Sequence, residues 1–167
     1  MNRPLLRFLS ALALGLALAA CGKKDPHAGH DHAKTGAAAH AHEHKAPHDG
    51  TAVVLGHEAY HLELVRDAAA GKLAAYVLDG ELENFIRVKA ASFEVVAAGG
   101  AGKRVLTFRA MANTATGETV GDTSCFEAQA DWLKTEATFD ATLTALEIKG
   151  TAFTAVAFNF PNGNDRN

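Results

Sequence analysis

One stretch of the sequence cannot build a hydrophobic core, and it confines folding to the residues on its C-terminal side. Between Gly22 and Asp49 the chain contains no Val, Ile, Leu, Phe, Tyr or Trp. Burial of large apolar side chains is what offsets the entropy cost of ordering a backbone, so this composition predicts a disordered tether. The chain therefore divides into three predicted parts, which are residues 1–20, 21–50 and 51–167.

The first part has the pattern of an export signal. Arg3 and Arg7 lie at the start of an apolar run without acidic residues, and the run ends in Leu18-Ala19-Ala20-Cys21. The run is shorter than the roughly 20 apolar residues that a spanning helix needs. Its ending resembles a bacterial lipobox, which implies removal of a signal peptide (1–20) and lipidation of Cys21. The alternatives are an uncleaved anchor and an ordinary signal peptide.

The residue after the lipidated cysteine indicates where the anchor resides. Lipoproteins that stay in the inner membrane usually have Asp at this position, and here it is Gly22. The resemblance therefore implies a cell-envelope protein on the outer membrane that faces the periplasm. Loss of residues 1–20 changes the formal charge from −3 to about −5. A mildly acidic chain without a basic stretch is poorly suited to phosphate binding, so we expect no nucleic-acid partner.

The tether is a candidate metal-binding tract because it holds most of the histidines of the chain. Neutral imidazole suits Zn(II), Cu(II) and Ni(II), and alternate residues of an extended chain lie on one side about 7 Å apart. Asp31, Glu43 and Asp49 supply carboxylates that can complete a shell or orient a ring. The alternative is a low-complexity spacer. The expected metal ligands in the tether are His27, His30, His32, His40, His42, His44 and His48.

From Thr51 onward, short runs of alternating or β-branched residues are interrupted by Gly, Asn and Asp. This pattern predicts an all-β fold, specifically an antiparallel β-sandwich of immunoglobulin-like or related type. A short helical turn is expected near Trp132, with Asp131 as its cap. The expected strands are 51–55, 58–66, 72–78, 85–89, 93–97, 104–110, 125–130, 141–148 and 152–160.

Alternation along the predicted strands also predicts which side chains form the core. In the second strand it places Tyr60, Leu62 and Leu64 inside and leaves His61, Glu63 and Val65 outside. The other expected core residues are Leu106, Phe108, Phe126, Phe139, Leu143, Val156, Phe158 and Phe160.

Residues 47–79 resemble a known group of proteins. The segments that carry the resemblance are Pro47-His48-Asp49-Gly50, Val53–Gly56, Tyr60–Val65 and Gly71–Asp79. They are similar to small periplasmic β-sandwich modules that open with Pro-His-Gly-Gly, where Asp here replaces the first glycine. Such modules occur beside or fused to heavy-metal efflux adaptor proteins, and in lipoproteins of related layout. The resemblance implies a metal-handling role with an efflux adaptor or another envelope protein as partner.

The folded part offers a second, smaller metal candidate. His57 and His61 are four residues apart near a hairpin, and Glu63 or His48 is available as a further ligand. The alternative is a pair of surface histidines. Cys125 is expected to be an inert buried thiol. The chain has no Gly-x-Ser-x-Gly elbow, phosphate-binding glycine loop or His-Glu-x-x-His pair, so we expect no enzymatic activity.

These observations favour a membrane-anchored periplasmic lipoprotein that binds divalent metal and buffers it, scavenges it or hands it to an efflux system. The alternative is a cell-envelope protein-interaction module in which the tract is a spacer. A third possibility, a sandwich that binds a small ligand, requires a deep apolar pocket.

Overall fold

The computed structural model describes residues 45–100 and 102–164. The predicted signal peptide, the lipidation site Cys21 and the tract histidines from His27 to His44 lie outside the described residues. The strands of the described part are β1 Thr51–Leu55, β2 Tyr60–Asp67, β3 Lys72–Asp79, β4 Ser92–Gly99, β5 Gly102–Ala110, β6 Cys125–Gln129, β7 Phe139–Ile148 and β8 Thr151–Phe160.

The eight strands form one antiparallel sheet, which confirms the predicted all-β class. Their order across the sheet is β1-β2-β3-β6-β5-β4-β7-β8. Most neighbours pair along much of their length, but β5 and β6 share only the register pairs Arg109–Glu127 and Ala110–Phe126. The sheet curls until its two edge strands approach each other, so that it nearly closes into a barrel.

The seam between β1 and β8 is held by an asparagine side chain in place of a strand ladder. The Val54 N–H donates to Asn164 Oδ1 at 2.7 Å, and Asn164 Nδ2 donates to the Val54 carbonyl at 3.1 Å. The Thr51 hydroxyl donates to the Pro161 carbonyl beside them at 3.0 Å. An amide side chain has the same donor and acceptor as a peptide group, so Asn164 satisfies edge groups that the sheet leaves unpaired.

Aromatic rings fill much of the interior. Phe93 stacks on Phe108 with centroids 4.9 Å apart, and Phe139 stacks on Phe160 at 5.2 Å. Most of the predicted core residues are buried, which confirms the prediction for them. Tyr60 and Val156 are only partly buried and pack against the core. The predicted core residues that are buried are Leu62, Leu64, Leu106, Phe108, Phe126, Phe139, Leu143, Phe158 and Phe160.

The predictions of a strand at 85–89 and of an Asp131 cap are wrong, and the prediction of a helical turn near Trp132 is partly right. The expected strand 85–89 is an irregular segment with single bridges at Phe85 and Val88, because its pairing never extends beyond one residue. The helical turn exists as a 3₁₀ helix, Asp131–Lys134. Its N-cap is Ala130 without a side-chain cap, because the Asp131 carboxylate pairs instead with Lys134.

The 3₁₀ helix contributes to the core through Leu133, which is fully buried. The Trp132 ring meets Phe139 edge-on, and the Arg104 guanidinium lies 3.8 Å from the Trp132 ring centroid. The described residues include no helix that is both long enough and apolar enough to cross a membrane.

Replacing Asn164 with Ala should weaken the seam. The change removes two hydrogen bonds, each of which contributes about 0.5–1.5 kcal/mol, so we expect the free energy of unfolding to fall by about 1–3 kcal/mol. Urea unfolding followed by Trp132 fluorescence measures this. Asn162→Ala is the matched control, because the Asn162 amide is exposed and bonds Asn159. Equal midpoints for the two variants would contradict the role given to Asn164.

Candidate functional site

A row of polar side chains crosses the outer face of the sheet. Glu63 on β2 is in register with Tyr76 on β3, which is in register with Cys125 on β6. As predicted, the side chains of His61 and Glu63 lie on the face of β2 that points away from the core. The expectation that these side chains are exposed to solvent is wrong. His61 is 6% exposed and Glu63 is 0% exposed. Short segments of the chain cover this face, and the one over Glu63 carries the site.

The segment over Glu63 is residues 45–50, here called the strap. It makes a tight turn in which the Asp49 N–H donates to the Ala46 carbonyl at 3.1 Å, with Pro47 at the position that favours it. Asp49 has φ 55°, a left-handed conformation that Asp tolerates better than most residues. The backbone therefore accommodates Asp where the resembled opening has its first glycine. The exposed Asp49 carboxylate pairs with Lys45 at 2.8 Å.

Gly50 lets the strap lie directly against β2. A Cβ at this position would sit 2.7 Å from Glu63 Cγ, 2.7 Å from the Leu64 carbonyl oxygen and 2.8 Å from Val65 Cγ2. Such distances are too short for carbon, so only glycine fits without a shift. The close approach brings the Gly50 N–H to 3.0 Å from Glu63 Oε1.

The Glu63 carboxylate accepts three hydrogen bonds from the strap. In addition to the bond from Gly50, the His48 N–H donates to Oε1 at 2.7 Å and His48 Nδ1 bonds Oε2 at 2.7 Å. A carboxylate has no proton to donate, so Nδ1 carries the hydrogen of this bond. In the neutral ring the lone pair therefore resides on Nε2. The His48 side chain is 39% exposed, so its imidazole is held by buried Glu63 at one edge and remains accessible.

Aromatic neighbours fix the plane of the His48 ring. It stacks on Tyr76 with centroids 4.1 Å apart and an interplanar angle of 19°. Phe85 packs at an angle to His48, with centroids 5.8 Å apart, and meets Tyr76 edge-on. The sequence reasoning missed Tyr76 and Phe85. The signal available for Tyr76 was its position on the outward face of a strand that neighbours Glu63.

The row ends at Cys125, which is in register with Tyr76. Burial, reinforced by the negative charge of Glu127, raises the pKa of the Cys125 thiol to about 11. The thiol therefore stays protonated at neutral pH, and it is neither an activated nucleophile nor a ready metal ligand. Burial is also the largest cause that raises the pKa of the Tyr76 phenol.

A second buried carboxylate, Glu118, fixes the loop between β5 and β6 (111–124). Glu118 is 7% exposed, and it accepts hydrogen bonds from the Ser124 N–H at 2.8 Å, the Ser124 hydroxyl at 2.6 Å and the Thr116 hydroxyl at 2.7 Å. Burial alone would raise the pKa of Glu118. The hydrogen bonds and the nearby Arg87 outweigh burial and hold the pKa below its ordinary value of about 4.5.

The other histidines predicted for a domain site occupy different surroundings. His57 is exposed in the turn between β1 and β2, and His61 is buried with Nδ1 3.2 Å from the Asp79 carbonyl oxygen. The hydrogen bonds of the strap join His48 to Glu63 and do not include His57 or His61. Within residues 45–100 and 102–164, no group of three or more His, Cys, Asp or Glu side chains can hold a metal ion.

The outer surface of β4, β7 and β8 carries a groove of about 500 Å³. Polar side chains, among them Lys103, Asp140 and Asn159, line it together with apolar ones. The Asn159 amide donates to Asp140 at 2.8 Å. This groove is not the deep apolar pocket that the third possibility requires.

Comparison with known proteins adds no family to this description. The chain matches no protein-family model, no curated protein and no solved structure.

Replacing Gly50 with Ala should detach the strap. The added methyl group would overlap Glu63 and the β2 backbone, and overpacking of this kind typically costs about 1–3 kcal/mol. Because β2 is fixed by strands on both sides, we expect the strap to move and the His48 N–H to exchange with solvent faster. Amide hydrogen exchange measures this. Asp49→Gly is the matched control, because φ 55° suits glycine; similar acceleration in both variants would contradict the close-packing argument.

Replacing Glu118 with Gln should destabilise the domain at neutral pH and much less in acid. The loss of charge-assisted hydrogen bonds costs about 1–3 kcal/mol. A carboxyl whose pKa is lowered by folding stabilises above its unfolded pKa of about 4.5, and this stabilisation fades as pH falls through the folded value. The urea midpoints of the unaltered chain and of Glu118→Gln should therefore differ at neutral pH and converge well below pH 4.5. The exposed Glu94 provides the control Glu94→Gln; an undiminished difference in acid would refute the assignment.

Proposed function

We propose that this protein is a lipid-anchored periplasmic lipoprotein that binds divalent metal ions and buffers them, scavenges them or hands them to an efflux system. Among the described residues, the single observation that supports the proposal is the hydrogen-bonded pair of His48 and Glu63. Histidines that bind metals commonly donate their second ring N–H to a carboxylate, which fixes the tautomer and orients the ring. His48 has this arrangement, which leaves the lone pair of the neutral ring on Nε2.

One fixed imidazole is not a complete metal site, and the described residues do not supply the others. The nearest candidates in the sequence are His40, His42 and His44, four to eight residues before His48. The proposed ligand set therefore combines the oriented ring of His48 with histidines of the tether, and His27, His30 and His32 provide further capacity. Zn(II), Cu(II) and Ni(II) are the ions that suit such ligands.

The anchoring part of the proposal rests on the lipobox resemblance. Lipid on Cys21 would hold the chain at the outer membrane, facing the periplasm, and two or three acyl chains are enough for stable attachment. A partner such as a heavy-metal efflux adaptor would then receive metal from the tether. We also infer that the nearly closed sheet is flattened into two four-stranded halves, as in a β-sandwich, since β5 and β6 pair only briefly.

Isothermal titration of residues 22–167 with each ion tests metal binding. Replacing His27, His30, His32, His40, His42 and His44 with Ser should remove most of the bound ions, whereas His57→Ser in the exposed turn should not. Lowering the pH from about 7.5 to about 5.5 should weaken binding by about tenfold for each coordinating histidine, because only neutral imidazole binds metal.

Three results would contradict the proposal: no binding, unchanged heats in acid, or full binding by the six-histidine variant. The matching experiment in cells compares metal tolerance of the same variants. Unchanged tolerance together with an intact protein partner would favour the alternative, a protein-interaction module whose tract is a spacer.

A further inference from the structure

We propose that the strand edge left open between β5 and β6 binds an extended segment of a partner protein that carries acidic side chains. The segment would add a strand to the sheet along β5 through backbone hydrogen bonds, and its carboxylates would pair with the cations of that strand. This inference concerns an interaction surface and does not depend on the metal binding proposed above.

β5 continues beyond its partner strand. It pairs with β6 at only two positions, which lie at its C-terminal end. Continuing that register would pair Thr107 with Gln129, but these two residues are not paired. β6 ends at Gln129, and the chain then enters the 3₁₀ helix Asp131–Lys134, which packs on β2 and β3. Among the described residues, the stretch of β5 from Gly102 to Phe108 therefore pairs only with β4.

The direction of the backbone groups shows which residues of β5 face the gap. The Met111 N–H, just after β5, donates to the carbonyl of Cys125 at the start of β6 at 2.9 Å. In an antiparallel ladder, alternate residues direct their N–H and C=O groups toward the same neighbouring strand. Val105 and Thr107 therefore point these groups toward β6, at positions where the register with β6 has ended. An unpaired edge of this kind is a template for a further strand.

A gap of about 450 Å³ lies along these backbone groups. It is lined by Val105, Thr107 and Arg109 of β5 and by Glu127 and Gln129 of β6, among others. Val105 is 58% exposed, although it is an apolar side chain in the middle of a strand. The gap therefore offers backbone donors and acceptors beside an apolar side chain, which are the contacts that strand addition uses.

Two cations flank the open stretch of β5. Lys103 and Arg109 are exposed, and neither forms an ion pair with a described residue. Glu127 is in register with Arg109 but pairs instead with Lys72 at 3.0 Å. The exposed Glu94 lies on β4, on the side of β5 away from the gap. A segment with a carboxylate near each of its ends can therefore pair with both cations.

A second copy of β5 is a poorer occupant of this edge. Self-pairing about Leu106, the midpoint of β5, would set Lys103 directly opposite Arg109 of the second copy. Like charges directly opposite each other destabilise a sheet. Charged side chains on an open edge are also a means by which proteins oppose self-association. A partner with acidic side chains avoids this repulsion.

Fluorescence anisotropy of a labelled peptide tests binding to residues 22–167, with EDTA present so that metal ions do not contribute. The probe is Glu-Val-Thr-Val-Thr-Val-Glu, and the matched control peptide has lysine in place of both glutamates. The glutamate peptide should bind more tightly and should slow amide hydrogen exchange of Val105 and Thr107. Arg109→Gln should lower its affinity by up to about fivefold, the effect of an exposed ion pair. Lys149→Gln, in the exposed turn between β7 and β8, should leave the affinity unchanged.

N-methylated peptides test backbone pairing and leave the protein unaltered. Alternate residues of the bound segment point their N–H groups toward β5, so methyl groups on the two threonines or on two of the valines should have unequal effects. One of these peptides should lose about tenfold or more in affinity, because two hydrogen bonds are lost, and the other should bind like the parent peptide.

Val105→Pro should weaken binding of the glutamate peptide by about two- to tenfold, because proline removes one donor from the open edge. Val105→Thr is the matched control, since it keeps the N–H and should change the affinity little. If Val105→Pro fails to fold, the N-methylated peptides still decide whether the backbone pairs.

Absence of binding by the glutamate peptide overturns the proposal. Equal effects of the two N-methylated peptides also overturn it, because they indicate contact through side chains alone. Equal binding of the glutamate and lysine peptides overturns the acidic character of the partner. A concentration-dependent dimer that protects the Val105 and Thr107 N–H groups without peptide identifies a second copy as the occupant and overturns the proposal. None of these outcomes bears on metal binding.

Discussion

The buried carboxylate of Glu63 determines how the chain enters the domain. A charged group without solvent must receive hydrogen bonds, and the neighbours of Glu63 across the sheet are Ala52 and Tyr76. The donors come instead from the strap, which approaches closely enough because position 50 is glycine. The packed part of the chain therefore includes Ala46, which precedes the first strand. The Glu63 carboxylate therefore joins the residues before β1 to the sheet.

Much of the fold could be predicted because alternation and glycine turns mark antiparallel strands. The limits of β1 agree residue for residue with the prediction, whereas the β7–β8 hairpin shows where alternation fails. Leu143 and Leu146 are both buried although they are three residues apart, so the inward face of β7 changes between them. Opposite this point Ala155 has φ 53°, which turns the pleat of β8. A period of two residues does not anticipate a left-handed alanine.

The candidate site was only partly predictable. The opening that contains His48 and the outward face of Glu63 could both be recognised in the sequence, and each was a possible ligand. Alternation indicates which face a side chain points to, but it does not show what covers that face. The contact of His48 with Tyr76 depends on a six-residue turn folding back onto β2 and β3. Such a contact between a non-strand segment and a sheet leaves no periodic pattern.

An imidazole that the fold orients and one that it does not orient contribute differently to metal binding. Where an ion must order the chain around it, the entropy cost weakens binding. One imidazole whose tautomer and plane are already set by Glu63 and Tyr76 removes part of the cost. If the proposed function holds, the tightest site is therefore at the domain end of the tether.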